Sequence, residues 1–289
     1  MERPHSGRRQ FFHAFFLGLA VLSLPFSVAL MRFAGSGVFL PETQEAYYPQ
    51  SADALTLIAA GRTVGGERPN CFVLCRIDPA AGEVRLCVLP PETMVEDAGR
   101  FDSAAAVWHR EGGARGSEAI ARALGCRSDR WLELDADAFR RLCIVVGALD
   151  YTLEQPLVLP DGTTAITEGR QLLDGAKLAL LIAYGGDDEA GRLALAGDLL
   201  REGFVQRLPL MGENQLLSTF ETAVNWGRSD LTVRDFESRR RALTHLAARP
   251  LTVELVGISG EYNDSRNTFL PSAGMLAEIA GRFGDPAER

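Results

Sequence analysis

Arg3, Arg8 and Arg9 stand before an apolar run from Phe11 to Met31, interrupted only by His13, Ser23, Pro25 and Ser27. That arrangement sets where the rest of the chain can fold. A helix of this length rises about 30 Å, the thickness of a bilayer's hydrocarbon core. A helix on the flank of a soluble core would show one apolar stripe, whereas this segment is apolar all round. The basic flank sets the orientation: residues 1–10 form a cytoplasmic tail, 11–31 span the membrane, and the remainder lies outside the cell. Ser27-Val28-Ala29 also fits a small-x-small cleavage site, so a removed signal peptide is the competing reading. The length of the run favours an uncleaved, single-pass anchor in the cell membrane.

The net charge of −8 argues against a nucleic-acid partner, because an acidic surface repels a phosphate backbone. An anionic ligand would therefore need a local basic pocket. Cys71, Cys75, Cys87, Cys126 and Cys143 cannot all pair internally, and the first three lie on apolar, strand-like segments. They read as small core residues rather than a disulfide framework. With no CxxC spacing and four histidines, a zinc site is not expected.

Residues 32–52 read as a juxtamembrane linker, with Gly, Pro and Gln. Strands follow at Leu55–Ala60 and Cys71–Ile77, then Asp78-Pro79-Ala80-Ala81-Gly82 turns into a third strand, Glu83–Leu89. Helices are expected at Ser117–Leu124 (with Ser117 as N-cap), Ala136–Val146, Leu172–Ala183, Ala190–Phe204, Asn214–Asn225, Val233–Ala247 and Ala273–Phe283. Short strands are expected at Trp131–Leu134, Leu149–Leu153, Leu157–Leu159 and Leu251–Val256. The alternation implies an α/β domain over residues 53–284, a three-layer sandwich with a central mixed sheet flanked by helices.

The order of elements, together with several short stretches, resembles the extracytoplasmic domain of the LytR-CpsA-Psr family. Leu86–Thr93 (LCVLPPET) resembles that family's strand ending in Pro-Arg-Asp-Thr, and Arg100-Phe101-Asp102-Ser103-Ala104 its Lys-Ile-Asn-Ala segment. Asp135–Leu153 resembles a helix ending at Gly-Gly before a strand, and Leu173-Asp174-Gly175 a Leu-Asn/Asp-Gly stretch. The resemblance implies a membrane-anchored transferase. Such an enzyme moves a glycopolymer of the teichoic acid or capsule type from a polyprenyl-pyrophosphate carrier to peptidoglycan. It also implies an apolar tunnel for the lipid, and arginines and Mg²⁺ at its mouth. The chemistry is reasonable on its own terms: arginines grip phosphate oxygens, carboxylate-held Mg²⁺ neutralises further charge, and phosphoryl transfer depends mainly on positioning and charge.

Several of the expected charges are replaced. Ala60-Gly61-Arg62 stands where the family has a metal-binding Asp, and Arg68-Pro69-Asn70 where it has Arg-Ser-Asp. Pro91 replaces an arginine, as do Ala183 and Gly185, while Arg192 is retained and the arginine and glutamine that should follow it are not. No catalytic residue is assigned. The candidate pyrophosphate ligands are Arg62, Arg68, Arg100 and Arg192, and the candidate Mg²⁺ ligands are Asn70 and Asp102. A solvated loop charge is the bland alternative for Arg62, Arg68 and Arg100. Asp187-Asp188-Glu189 reads as a helix N-terminal cluster. Trp108-His109 reads as local packing or the wall of a substrate mouth. Gly257-Ile258-Ser259-Gly260-Glu261 lacks the final glycine of a nucleophile elbow. The expected partners are a polyprenyl phosphate or pyrophosphate lipid and a cell-wall glycopolymer or peptidoglycan. The alternative function is an inactive relative that binds the lipid or serves as a scaffold.

Overall fold

A computed structural model describes residues 47–284 except 64, 187, 264 and 266. By its contacts the chain separates into Met1–Tyr47 and Tyr48–Arg289. The expected span at 11–31 lies outside the described residues, and among those described no helix is long and apolar enough to cross a membrane.

The chain begins with three strands, β1 (Leu55–Arg62), β2 (Cys71–Asp78) and β3 (Glu83–Leu89). A hairpin, β4 (Met94–Asp97) and β5 (Arg100–Ser103), leads into helix α1 (Ala104–Ala123). Then come β6 (Arg130–Asp135), α2 (Ala136–Val146), and four short strands: β7 (Leu149–Leu153), β8 (Leu157–Val158), β9 (Thr164–Ile166) and β10 (Gly169–Leu173). Helices α3 (Gly175–Tyr184), α4 (Glu189–Arg207) and α5 (Glu213–Trp226) follow, then β11 (Arg228–Ser229) and α6 (Val233–Ala247). The fold closes with β12 (Thr252–Val256), β13 (Gly260–Asn263), β14 (Thr268–Pro271) and α7 (Ala273–Phe283).

Six strands form the central sheet in the order β11-β6-β1-β2-β3-β12. It is mixed: β1 runs antiparallel to β2 and parallel to β6, and β12 runs parallel to β3. Alternation along the strands supplies two apolar faces. Ile58, Phe72, Leu74, Cys87 and Leu89 pack with Trp108 and Ile120 of α1 and with Ile279 and Phe283 of α7. Cys75, Val84 and Leu86 pack on the other face with Leu216 of α5 and with Phe236 and Leu246 of α6. Each such fully buried side chain contributes about 1.5–3 kcal/mol over an exposed one. Helices therefore flank the sheet on both faces.

Two expected boundaries are wrong, for physical reasons. The helix expected at Ser117 begins thirteen residues earlier, where the Ser103 hydroxyl caps it by accepting from Ala106 N at 3.2 Å. Ser117 lies inside the helix with its hydroxyl bonded to the Ala114 carbonyl. The helix is kinked at Gly112, whose non-helical backbone (φ 81°, ψ 175°) favours glycine, while Gly113 is there for space: a Cβ on it would lie 2.2 Å from the Trp131 ring. The helix expected from Leu172 starts at Gly175, because Leu172 and Leu173 belong to β10 and Asp174 accepts from Ala176 N and Lys177 N as the cap. The five cysteines are free thiols; Cys71, Cys75 and Cys87 are buried.

Candidate functional site

A cavity of about 360 Å³ lies between the sheet and helices α2, α3 and α4. Protein interiors are close-packed, so an apolar void of this size needs a cause. Here the cause is side-chain size. Ala59, Gly61, Ala176, Ala179, Ala183 and Ala196 all line it, where leucines would fill it. Phe139, Leu180, Ile182, Val73 and Val88 complete apolar walls. The polar lining gathers where β1 ends and β2 begins: Arg62, Thr63 and Asn70, with Asp135 and Arg140 of the β6–α2 junction and Tyr184 at the end of α3.

Arg192 lies in the first turn of α4 and is 8% exposed. Its guanidinium is fully engaged. Nε donates to Glu189 Oε2 at 2.9 Å, Nη1 to the Ile182 carbonyl at 2.9 Å, and Nη2 to the Asn70 carbonyl at 2.9 Å and to Glu189 Oε1. It ties α3, α4 and the start of β2 together. Glu92, in the turn after β3, has a buried Oε2 with no hydrogen-bond partner among the described residues. Burial raises its carboxyl from the ordinary value; Glu189 adds to the rise, while its own backbone N–H and Arg192 oppose it. Burial also raises the Cys71 thiol, against the pull of Arg192.

Arg62, the last residue of β1, is differently placed. Its side chain is 26% exposed and lines the cavity. Nε lies 2.9 Å from Oε1 of Glu133, whose side chain is only 4% exposed. This is an ion contact rather than an aligned hydrogen bond, since the Nε–H has no acceptor in line. Glu133 accepts a hydrogen bond of 2.7 Å from Trp108 Nε1 and lies 3.6 Å from Arg228 Nη1. One buried carboxylate therefore sits between two guanidiniums.

The other candidates lie elsewhere. Arg68 is exposed and has no ion partner among the described residues, and it does not line the cavity. Arg100 is exposed at the turn of the β4–β5 hairpin. Asp102 accepts from Arg110 Nη1 at 2.9 Å and from Ser103 N at 2.8 Å, away from Asn70 and the cavity. Asn70 and Asp102 thus do not form a shared ligand set, and among the described residues no group of three or more His, Cys, Asp and Glu could hold a metal ion. The residues present do not fit the Mg²⁺ that the resemblance implies. Trp108 is core, 2% exposed, in contact with the Phe72 ring at 5.3 Å between centroids. His109 is exposed, with Nδ1 3.1 Å from the Glu67 carbonyl. Asp188 caps α4 by accepting from Gly191 N at 2.7 Å.

The replaced arginines also have a steric side. A Cβ on Gly185 would lie 2.5 Å from the Leu181 carbonyl oxygen and 2.4 Å from Leu195 Cδ2, so the turn between α3 and α4 has no room for a side chain there. Sequence reasoning passed over Glu133 and Arg140, and gave Glu92, Glu189 and Tyr184 no part in the site. Glu133 lies on β6 in phase with Trp131 and Asp135, opposite the face of Leu132 and Leu134.

Comparison with protein-family models gives no match, and neither does comparison with curated proteins. Solved structures do match in fold. A candidate transcription regulator from Eubacterium siraeum superposes with TM-score 0.74 at 13% identity, over 85% of this chain and 97% of that one. TagT bound to LIIa-WTA gives TM-score 0.66 at 15% identity, over 86% and 96%. B. subtilis TagV gives TM-score 0.63 at 16% identity, over 80% and 95%. Identities this low establish the fold alone. TagT, TagU and TagV are LytR-CpsA-Psr proteins, and the domain described here has a LytR-CpsA-Psr-like fold.

Proposed function

We propose that this protein handles a lipid-carried cell-wall glycopolymer, with the apolar chain of the carrier in the cavity and its phosphate end at the mouth, and that it transfers the polymer to peptidoglycan. One observation carries the reading: an apolar cavity of about 360 Å³ has the guanidinium of Arg62 in its polar rim. A chain of isoprene units gains from leaving water for such walls, and a phosphate gains from a guanidinium at the rim. A protein of the same fold, TagT, is known bound to LIIa-WTA. The anchor expected at 11–31 would hold the domain at the outer face of the membrane, where such a carrier resides.

The test is transfer of a labelled glycan from a polyprenyl-pyrophosphate carrier to peptidoglycan by the full chain, with native mass spectrometry for lipid that co-purifies. Transfer is the expected outcome, and absence of both transfer and bound lipid would sink the proposal. A second reading is favoured by Arg192. With that guanidinium spent on Glu189 and two carbonyls, and Gly185 closed to any side chain, the protein would bind the lipid without turning it over. Bound lipid without transfer would select this reading.

A further inference from the structure

We infer that Arg62, fixed by the buried carboxylate of Glu133, is the cation that meets the phosphate end of the ligand, and that the site works without a divalent metal. The inference rests on the lipid-phosphate reading above and names the charge that recognises the headgroup.

The observations are independent of one another. First, the carboxylates needed for a metal are not grouped anywhere among the described residues. Hard cations such as Mg²⁺ require several oxygen ligands in near-octahedral array, and Asn70 with Asp135, whose Oδ1 already caps α2 by accepting from Ala138 N, does not supply them. Second, of the four candidate arginines only Arg62 combines cavity lining with an incompletely used guanidinium. Besides the contact with Glu133, its one further polar contact among the described residues is Nη1 to the Gly66 carbonyl, at a long 3.5 Å. Arg192 has no such freedom, and Arg68 and Arg100 do not line the cavity. Third, Glu133 is not free to neutralise Arg62 completely. It is shared with Arg228 and with the indole N–H of Trp108. A buried carboxylate without partners would be costly; with two guanidiniums sharing it, it does not fully neutralise either one. Arg62 also stands on β1 and Glu133 on β6, paired strands of the sheet, so the charge is mounted on rigid backbone rather than on a loop.

A guanidinium differs from a metal in a way that an experiment can read. Its charge does not depend on free Mg²⁺ and cannot be stripped by a chelator. The full chain, reconstituted in phosphatidylcholine nanodiscs, is titrated with farnesyl pyrophosphate and with farnesol, each in Mg²⁺ and in EDTA. Farnesyl pyrophosphate should bind more tightly than farnesol by about tenfold to a hundredfold, the value of a charge-assisted phosphate contact, and equally well in EDTA. Arg62→Gln removes the charge and the outer nitrogens but keeps an N–H at the position of Nε for Glu133; it should bring the two ligands to the same affinity and leave farnesol unchanged. Arg62→Lys should restore part of the difference. Loss of farnesyl pyrophosphate binding in EDTA, or an undiminished preference in Arg62→Gln, would overturn the inference while farnesol binding upheld the lipid cavity. Failure of both ligands to bind the unaltered chain would overturn the lipid reading, and the inference with it.

Discussion

Arg192 donates a 2.9 Å hydrogen bond from Nη2 to the backbone carbonyl of Asn70, joining the first turn of α4 to the residue that precedes β2. With its bonds to Ile182 and Glu189, this makes Arg192 a structural clasp beside the cavity rather than a free phosphate ligand. Arg192→Lys should lower stability by about 2–4 kcal/mol, because an ammonium cannot span two carbonyls and a carboxylate and would leave buried acceptors bare. Urea denaturation checks this. An unchanged midpoint would return Arg192 to the set of ligand-binding arginines.

A second clasp makes stability depend on pH. Arg130 Nε and Nη2 donate to Asp235 Oδ2 and Oδ1 at 3.0 and 2.7 Å, and Thr232 adds its N–H and hydroxyl. Burial pushes the Asp235 carboxyl up, but these bonds outweigh it and hold the group at about 2. The folded value lies below the ordinary 3.8, so the contribution is present above about pH 4 and is lost as pH falls towards 2. It amounts to about 1–2 kcal/mol once screening at the half-exposed Arg130 is allowed for. Asp235→Asn should remove that part of the acid dependence, read from thermal midpoints between pH 5 and pH 2. An unaltered acid profile would contradict the assignment.

Ala179 lines the cavity from α3 and is only partly buried. Ala179→Trp should fill the space and reduce uptake of farnesol by about tenfold or more, while changing stability by less than about 1.5 kcal/mol, since the added ring occupies a void rather than a packed core. Retained farnesol affinity in a folded Ala179→Trp protein would place the lipid elsewhere.

Two glycines should respond in opposite directions to the same change. On α1, a Cβ at Gly116 would lie 2.6 Å from Trp108 Cε3 and 2.9 Å from Trp108 Cα, so Gly116→Ala should destabilise by about 1–3 kcal/mol. On α4, nothing lies within 4 Å of a Cβ at Gly203, so Gly203→Ala should stabilise by about 0.5–1 kcal/mol through helix propensity. Calorimetric midpoints of the two variants should therefore move apart. Midpoints moving the same way would mean that the helix near Trp108 is looser than its geometry.

What could be read from the sequence was what amphipathic period and capping chemistry determine. Ala136–Val146, Val233–Ala247 and Ala273–Phe283 are helices with the expected bounds, each led by a capping side chain: Asp135, Thr232 and Ser272. The failures come where tertiary contact overrides period. Gly112 interrupts α1 with a positive φ that favours glycine, and Gly113 follows because Trp131 needs the space. The β4–β5 and β13–β14 hairpins have four-residue strands, too short and too polar for alternation to reveal. For the site, sequence could name Arg62 but not its partner. The pairing of β1 with β6 puts Glu133 beside it, seventy-one residues away, and only the fold supplies that juxtaposition.

The same juxtaposition gives the molecule a built-in optical gauge. Glu133 holds Arg62 on one side and the indole N–H of Trp108 on the other. Any anion that draws Arg62 towards itself loosens its hold on the carboxylate and thereby alters the field at a buried indole. Of the chain's three tryptophans, Trp108 alone donates to that carboxylate. Its emission maximum should shift as the mouth fills, so headgroup occupancy can be followed by fluorescence without attaching a dye.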